Sequence, residues 1–185
     1  MSNADSIRTH VVITSVGADR PGIVADLSGW ILRCGGNIED SRMSQLGGEF
    51  ASLVLVSGSS DLAARLEESR SGFERDHGLK VFARPVAAAP APPAQPHLRY
   101  TLRVTSLDHP GVVHQVADLL RAHDVNIVSA TTRTSPAPFT GAAVFHIEVV
   151  ADVPAATPVT RLRAALDELA VRENMDVTLA ASTGA

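Results

Sequence analysis

Two rhythms of apolar positions alternate along the first half of the chain. "HVVITSV" (10–16) is a short β-branched run and predicts a strand. From there the apolar residues fall at Ile23, Leu27, Trp30, Ile31 and Cys34, the spacing of one helical face. Gly35 and Gly36 end that helix. Residues 37–45 alternate and are mostly polar, which predicts an edge strand. "LGGE" turns the chain into "FASLVLVSG" (50–58), a strand apolar on both faces. There Leu53 and Leu55 point one way, Val54 and Val56 the other. Leu62, Leu66 and Phe73 mark a second helix within 61–76, and "LKVFARP" (79–85) closes the unit. The order is β-α-β-β-α-β.

The second half repeats it: "LRYTLRVTS" (98–106), a helix over 110–123, "NIVSATTRT" (126–134), "AAVFHIEVV" (142–150), a helix over 157–173 and "MDVTLA" (175–180). The repeat shows in single residues too. Asp19 and Asp108 stand 89 residues apart, and so do Asn37 and Asn126, each asparagine followed by isoleucine. Leu66 and Leu162 stand 96 apart, so the second copy carries extra residues. The turn-rich stretches 135–141 and 151–158 are the expected places for them. Between the copies "VAAAPAPPAQPH" (86–97) reads as an extended, semi-rigid linker.

A β-α-β-β-α-β order in under ninety residues predicts an α+β, ferredoxin-like sandwich, with one antiparallel sheet and two helices on one face. The expected domains are 9–85 and 98–181. A third strand apolar on both faces calls for a cover on the open side, from the other copy or from another chain.

Composition narrows the function. The 185 residues are 45% hydrophobic, enough for packed cores. The net charge is -4 and no basic run exists, which argues against unaided nucleic-acid binding. Aromatic content of 4% is too low for base stacking on the open sheet face. The lone cysteine, Cys34, fits a reducing compartment and reads as a core residue. No stretch is long and apolar enough for a membrane span, and the opening "MSNADSIRTH" reads as a short tail with no signal-peptide core. A cytoplasmic location follows. His109, His114 and His123 are not spaced for a metal on one helical face, and no nucleophile-base pair stands out.

What remains is "DRPGIV" (19–24) and "DHPGVV" (108–113). The prolines suit the first helical position, and Asp19 or its neighbour suits the cap. A helix opening at Gly22–Ile23, and again at Gly111–Val112, presents free N–H groups and a positive dipole end to a carboxylate. Glycine permits close backbone approach. Asp19 and Asp108 are candidates for an ammonium group, and Asn37 and Asn126 for hydrogen bonds of either sense. Both asparagines follow the first helix of their copy, so they are expected to return beside its loop. The candidate ligand-binding set is Asp19, Pro21, Gly22, Ile23, Asn37 and Ile38, with Asp108, Pro110, Gly111, Val112, Asn126 and Ile127 in the second copy. The expected ligand sits in the seam of loop and asparagine, with a neighbouring copy closing the far side. The plain alternative is that Pro-Gly is a turn, Asp a cap and Asn a turn residue.

"DxPG" after a first strand, with "NI" opening the second, resembles the ACT domain, a small amino-acid-sensing module of β-α-β-β-α-β order. "GADRPGIV", "CGGNIEDSR" and "LGGEF" resemble more closely the glycine cleavage system transcriptional repressor family, tandem ACT proteins with a Pro-rich linker. The resemblance implies a non-enzymatic sensor that binds no DNA itself and restrains a DNA-binding activator by protein contact. It implies glycine or a similar small amino acid as the signal, no cofactor, and a homodimer. A regulatory subunit of a metabolic enzyme is the alternative. On charge alone, a mobility-shift assay at physiological salt should show no binding of duplex DNA. Salt-sensitive retention at sub-micromolar protein would refute that.

Overall fold

The computed structural model describes residues 8–87, 96–107, 109–137 and 141–182. The N-terminal tail, most of the Ala/Pro-rich connection and Asp108 lie outside the described residues. The chain divides into two compact units, one on each side of the connection, and each has its own sheet and core.

The first unit runs β1 (Thr9–Ala18), α1 (Ile23–Arg33), β2 (Asn37–Leu46), β3 (Glu49–Gly58), α2 (Leu62–His77) and β4 (Leu79–Val86). The second runs β5 (His97–Leu107), α3 (Val112–Ala122), β6 (Asn126–Pro136), β7 (Ala143–Pro154), α4 (Val159–Glu173) and β8 (Asp176–Ala181). The sheets are ordered β2-β3-β1-β4 and β6-β7-β5-β8, antiparallel throughout. This is the expected α+β, ferredoxin-like arrangement, built twice.

Period-two alternation sets the core. Val11 and Ile13 of β1 and Val54 and Val56 of β3 are fully buried and share a cluster with the apolar stripe of α1, Ile23, Leu27 and Ile31. Leu62 and Leu66 of α2 complete it. Each such aliphatic contributes about 1.5–3 kcal/mol by leaving water. Trp30 is buried, stacks on Phe73 with ring centroids 4.7 Å apart, and donates its Nε1 hydrogen to Ser69 Oγ at 2.8 Å. Cys34 is buried, as expected. In the second unit Leu102, Val104, Val149 and Ile147 face α3 and α4 in the same way.

Three details differ from expectation. Neither Pro21 nor Pro110 is the first helical residue: α1 begins at Ile23 and α3 at Val112. No acidic side chain caps α1. The reason is backbone. Gly22 (φ 88°) and Gly111 (φ 99°) are left-handed, so the chain turns into the helix after the proline, at a conformation open to glycine. The third difference is in 151–158, the turn-rich stretch expected to hold extra residues, of which only 155–158 lie outside a strand or helix. There β7 runs on to Pro154, because Ala151 and Val153 point into the core and pair with Tyr100 and Leu98.

Gly36, before β2, has a separate constraint. A Cβ there would lie 2.6 Å from Val56 Cγ1 and 3.2 Å from the Ile31 carbonyl. Gly36→Ala should therefore destabilise the fold by about 1–3 kcal/mol in urea unfolding, through overpacking. An unchanged midpoint would show that the core yields at this contact.

Candidate functional site

Each first-strand loop delivers a helix N-terminus to the surface. In the first unit the Asp19 N–H donates to the Gly48 carbonyl at 2.9 Å, which pins the loop to the β2–β3 turn. The first bond inside α1 runs from the Asp26 N–H to the Gly22 carbonyl at 2.9 Å. The N–H groups of Ile23, Val24 and Ala25 stand ahead of it, at the positive end of the helix. In the second unit the Gln115 N–H bonds the Gly111 carbonyl at 3.0 Å and gives the same geometry.

A recess of about 370 Å³ opens at the first loop. Asp19, Arg20, Gly22 and Ile23 line one side, and Met43, Ser44 and Gln45 of β2 the other. Among the described residues the exposed Asp19 carboxylate has no partner. Arg20 is committed. Its Nη2 donates to Asp26 Oδ2 at 2.7 Å and to the His77 carbonyl at 3.4 Å, and its Nη1 donates to the Pro21 carbonyl at 3.3 Å. His77 Nδ1 lies 3.2 Å from the same Asp26 oxygen. The cluster ties the loop to the last turn of α2. The hydrogen bond from Arg20 holds the Asp26 carboxyl below its ordinary range, with the nearby His77 adding to it.

The second loop is built differently. His109 stands where Arg20 stands, with Nδ1 3.2 Å from the Pro110 carbonyl. Gln115 reaches back towards Gly111, and its Oε1 is buried without a hydrogen bond among the described residues. Gly22 and Pro21, like Gly111 and Pro110, are exposed, whereas Ile23 and Val112 are buried in their cores.

The asparagines do not return beside these loops. Asn37 pairs with Ser57, which pairs with His10 near the start of β1, whereas Asp19 follows the end of β1. The ten residues of β2 separate the two places by about 30 Å. In the second unit Asn126 pairs with Asp152, and the strand end nearest Gly111 is Leu107, paired with Val144. All four of Asn37, Ile38, Asn126 and Ile127 are exposed at those remote ends. The cause is the crossover. The helix runs back along the sheet, so the second strand starts where the first one started. The residues that do meet the first loop, Met43 to Gln45, come from the far end of β2 and were missed. Counting one strand length on from Asn37 would have found them. Gln115 was missed as well, although it lies one helical turn after Gly111.

The ACT domain family matches the chain twice, over residues 9–84 and 100–167. The chain therefore carries two ACT domains in tandem, a regulatory class of domain. It is 34% identical over 171 residues to the glycine cleavage system transcriptional repressors of Escherichia coli K12 and Shigella flexneri, covering 91% of this chain and 88% of each relative. The chain belongs to that family. A crystal structure of a protein of unknown role from Galdieria sulphuraria superposes with a TM-score of 0.77 at 29% identity, over 95% of this chain and 99% of the other. Another, assigned as a glycine cleavage system transcriptional repressor, gives 0.69 at 27% identity, over 95% and 98%.

The Arg20–Asp26–His77 cluster has a pH signature. Asp26 is depressed in the folded state, so its contribution is complete above the ordinary value of 3.8 and is lost as pH falls through the lower folded value. Asp26→Asn should melt earlier than the parent at neutral pH, and the gap should narrow below pH 3.8. A melting-temperature gap independent of pH would show that the carboxylate contributes nothing as a charge.

Proposed function

We propose that this protein is a non-enzymatic, amino-acid-responsive regulator in glycine cleavage system transcriptional control, acting in the cytoplasm by contact with another protein. The observation that carries this reading is the 34% identity to named repressors along nearly the whole chain. The acidic net charge of -4 supports action through a protein rather than directly on DNA.

The effector in this reading is a small amino acid such as glycine. Its carboxylate would meet the N–H groups that follow Gly22, and its ammonium would meet Asp19. Gly111 and Val112 offer the second loop's equivalent, with the Gln115 amide as an added polar group. Because Asn37 and Asn126 lie a strand length away, they reach such a ligand only when a neighbouring copy brings its sheet end to the loop.

The test is a thermal-shift screen of the whole chain against the twenty amino acids, followed by calorimetry. Glycine or a small relative should raise the melting temperature. Asn37→Ala and Asn126→Ala should each weaken binding about ten- to hundred-fold, the value of one or two buried hydrogen bonds. Binding unchanged in both single variants and in the double variant would leave the asparagines a structural role only. No shift with any amino acid would remove the sensor reading itself.

A further inference from the structure

The two sheets present chemically different open faces. On the second sheet that face is charged: Arg99 bonds Asp152 at 2.8 and 3.0 Å, and Arg103 bonds Glu148 at 2.8 Å across the strands. On the first sheet the same face carries Val12, Leu53, Leu55, Phe82 and Val86, with Arg84 beside Val12 and Lys80 beside Val16 at the β4 edge. Leu53 is 49% exposed and Phe82 67% exposed, on a face made by regular strands and not by a loose end. Beside them lies a groove of about 410 Å³, floored by Val12, Leu53 and Leu55 and edged by Asp40 and Arg42 of β2. Contiguous apolar surface of this kind marks a contact site.

We infer that a second copy of this chain covers the face, with the two first sheets stacked face to face about a two-fold axis. Two observations select that occupant. The face carries both a knob and a socket. Phe82 stands on β4 in the Thr14 row, whereas the groove runs over Val12, Leu53 and Leu55 on β1 and β3, so knob and socket lie side by side on the face. A two-fold partner can therefore place its Phe82 in this groove while this Phe82 enters the partner's, as an isologous contact requires. The rim is self-complementary as well. Asp40 and Arg42 lie two residues apart on β2, already 2.8 Å from one another, and an antiparallel copy sets each acid against the other copy's base. Stacked sheets lie about 10 Å apart, so side chains of this size interdigitate. The surface gives the expected homodimer its interface and does not depend on which amino acid the loops bind.

Sedimentation velocity of the full chain, over the micromolar range, tests this. The parent should be a dimer. Phe82→Glu and Leu53→Asp should each weaken association at least about ten-fold, as truncation of a central apolar anchor does. Asp40→Arg should weaken it less, and adding Arg42→Asp to that variant should restore it. Val171→Glu, at an exposed position on α4, is the control and should change nothing. Melting curves check that the variants fold. A parent that stays monomeric throughout, or a dimer indifferent to Phe82→Glu and Leu53→Asp, overturns the inference. Loss of amino-acid binding in a dimer that is otherwise normal would count against the sensor reading and not against this surface.

Discussion

Everything in each domain follows from where the first helix must lie. The stripe Ile23, Leu27, Trp30 and Ile31 has to leave water, and the available surface is the face of β1 and β3 that carries Val11, Ile13, Val54 and Val56. Lying on that face, α1 runs back along β1 and ends at the sheet's starting end. The turn that lets it do so is the left-handed glycine, Gly22 or Gly111. The strand that follows then enters on the edge, and its last residues, not its first, stand beside the loop. The loop thus stands beside Met43, Ser44 and Gln45, and the Asn-Ile pair lies a strand length away in the same domain.

The duplication kept the buried half of this arrangement and let the exposed half diverge. Alternate residues of a strand belong to opposite faces, so the core side and the open side can change separately. The core side is aliphatic in both domains. The open side has an aliphatic centre in the first, with charges at its edges, and carries cross-strand ion pairs in the second. One copy holds the arginine cluster that locks its loop to α2, and the other replaces it with His109 and a glutamine whose oxygen is buried without a hydrogen bond among the described residues. Two domains of one fold therefore offer two chemically different surfaces and two differently built loops.

The loop chemistry is economical. The left-handed glycine leaves the first N–H groups of the helix ahead of its first internal bond, without a side-chain cap to occupy them. The nearest cation, Arg20, is held by Asp26 and by the His77 carbonyl, so it stiffens the loop and is not free to clamp a carboxylate. Backbone dipoles supply the positive field there.

Local pattern was enough to read the elements, their order, the duplication, the helix-facing core and the two-faced third strand, because those depend on period and on residues close in sequence. The Asp-Pro-Gly loop was legible for the same reason. The start of the helix after glycine rather than at proline was not, since the residue pattern does not reveal the left-handed φ of 88° at Gly22. Nor was the pairing of the loop with Gln45 in place of Asn37, or the reach of Arg20 to His77, 57 residues on. Those depend on which way α1 and α2 run across the sheet. That direction is fixed only when apolar faces from distant parts of the chain close on one another.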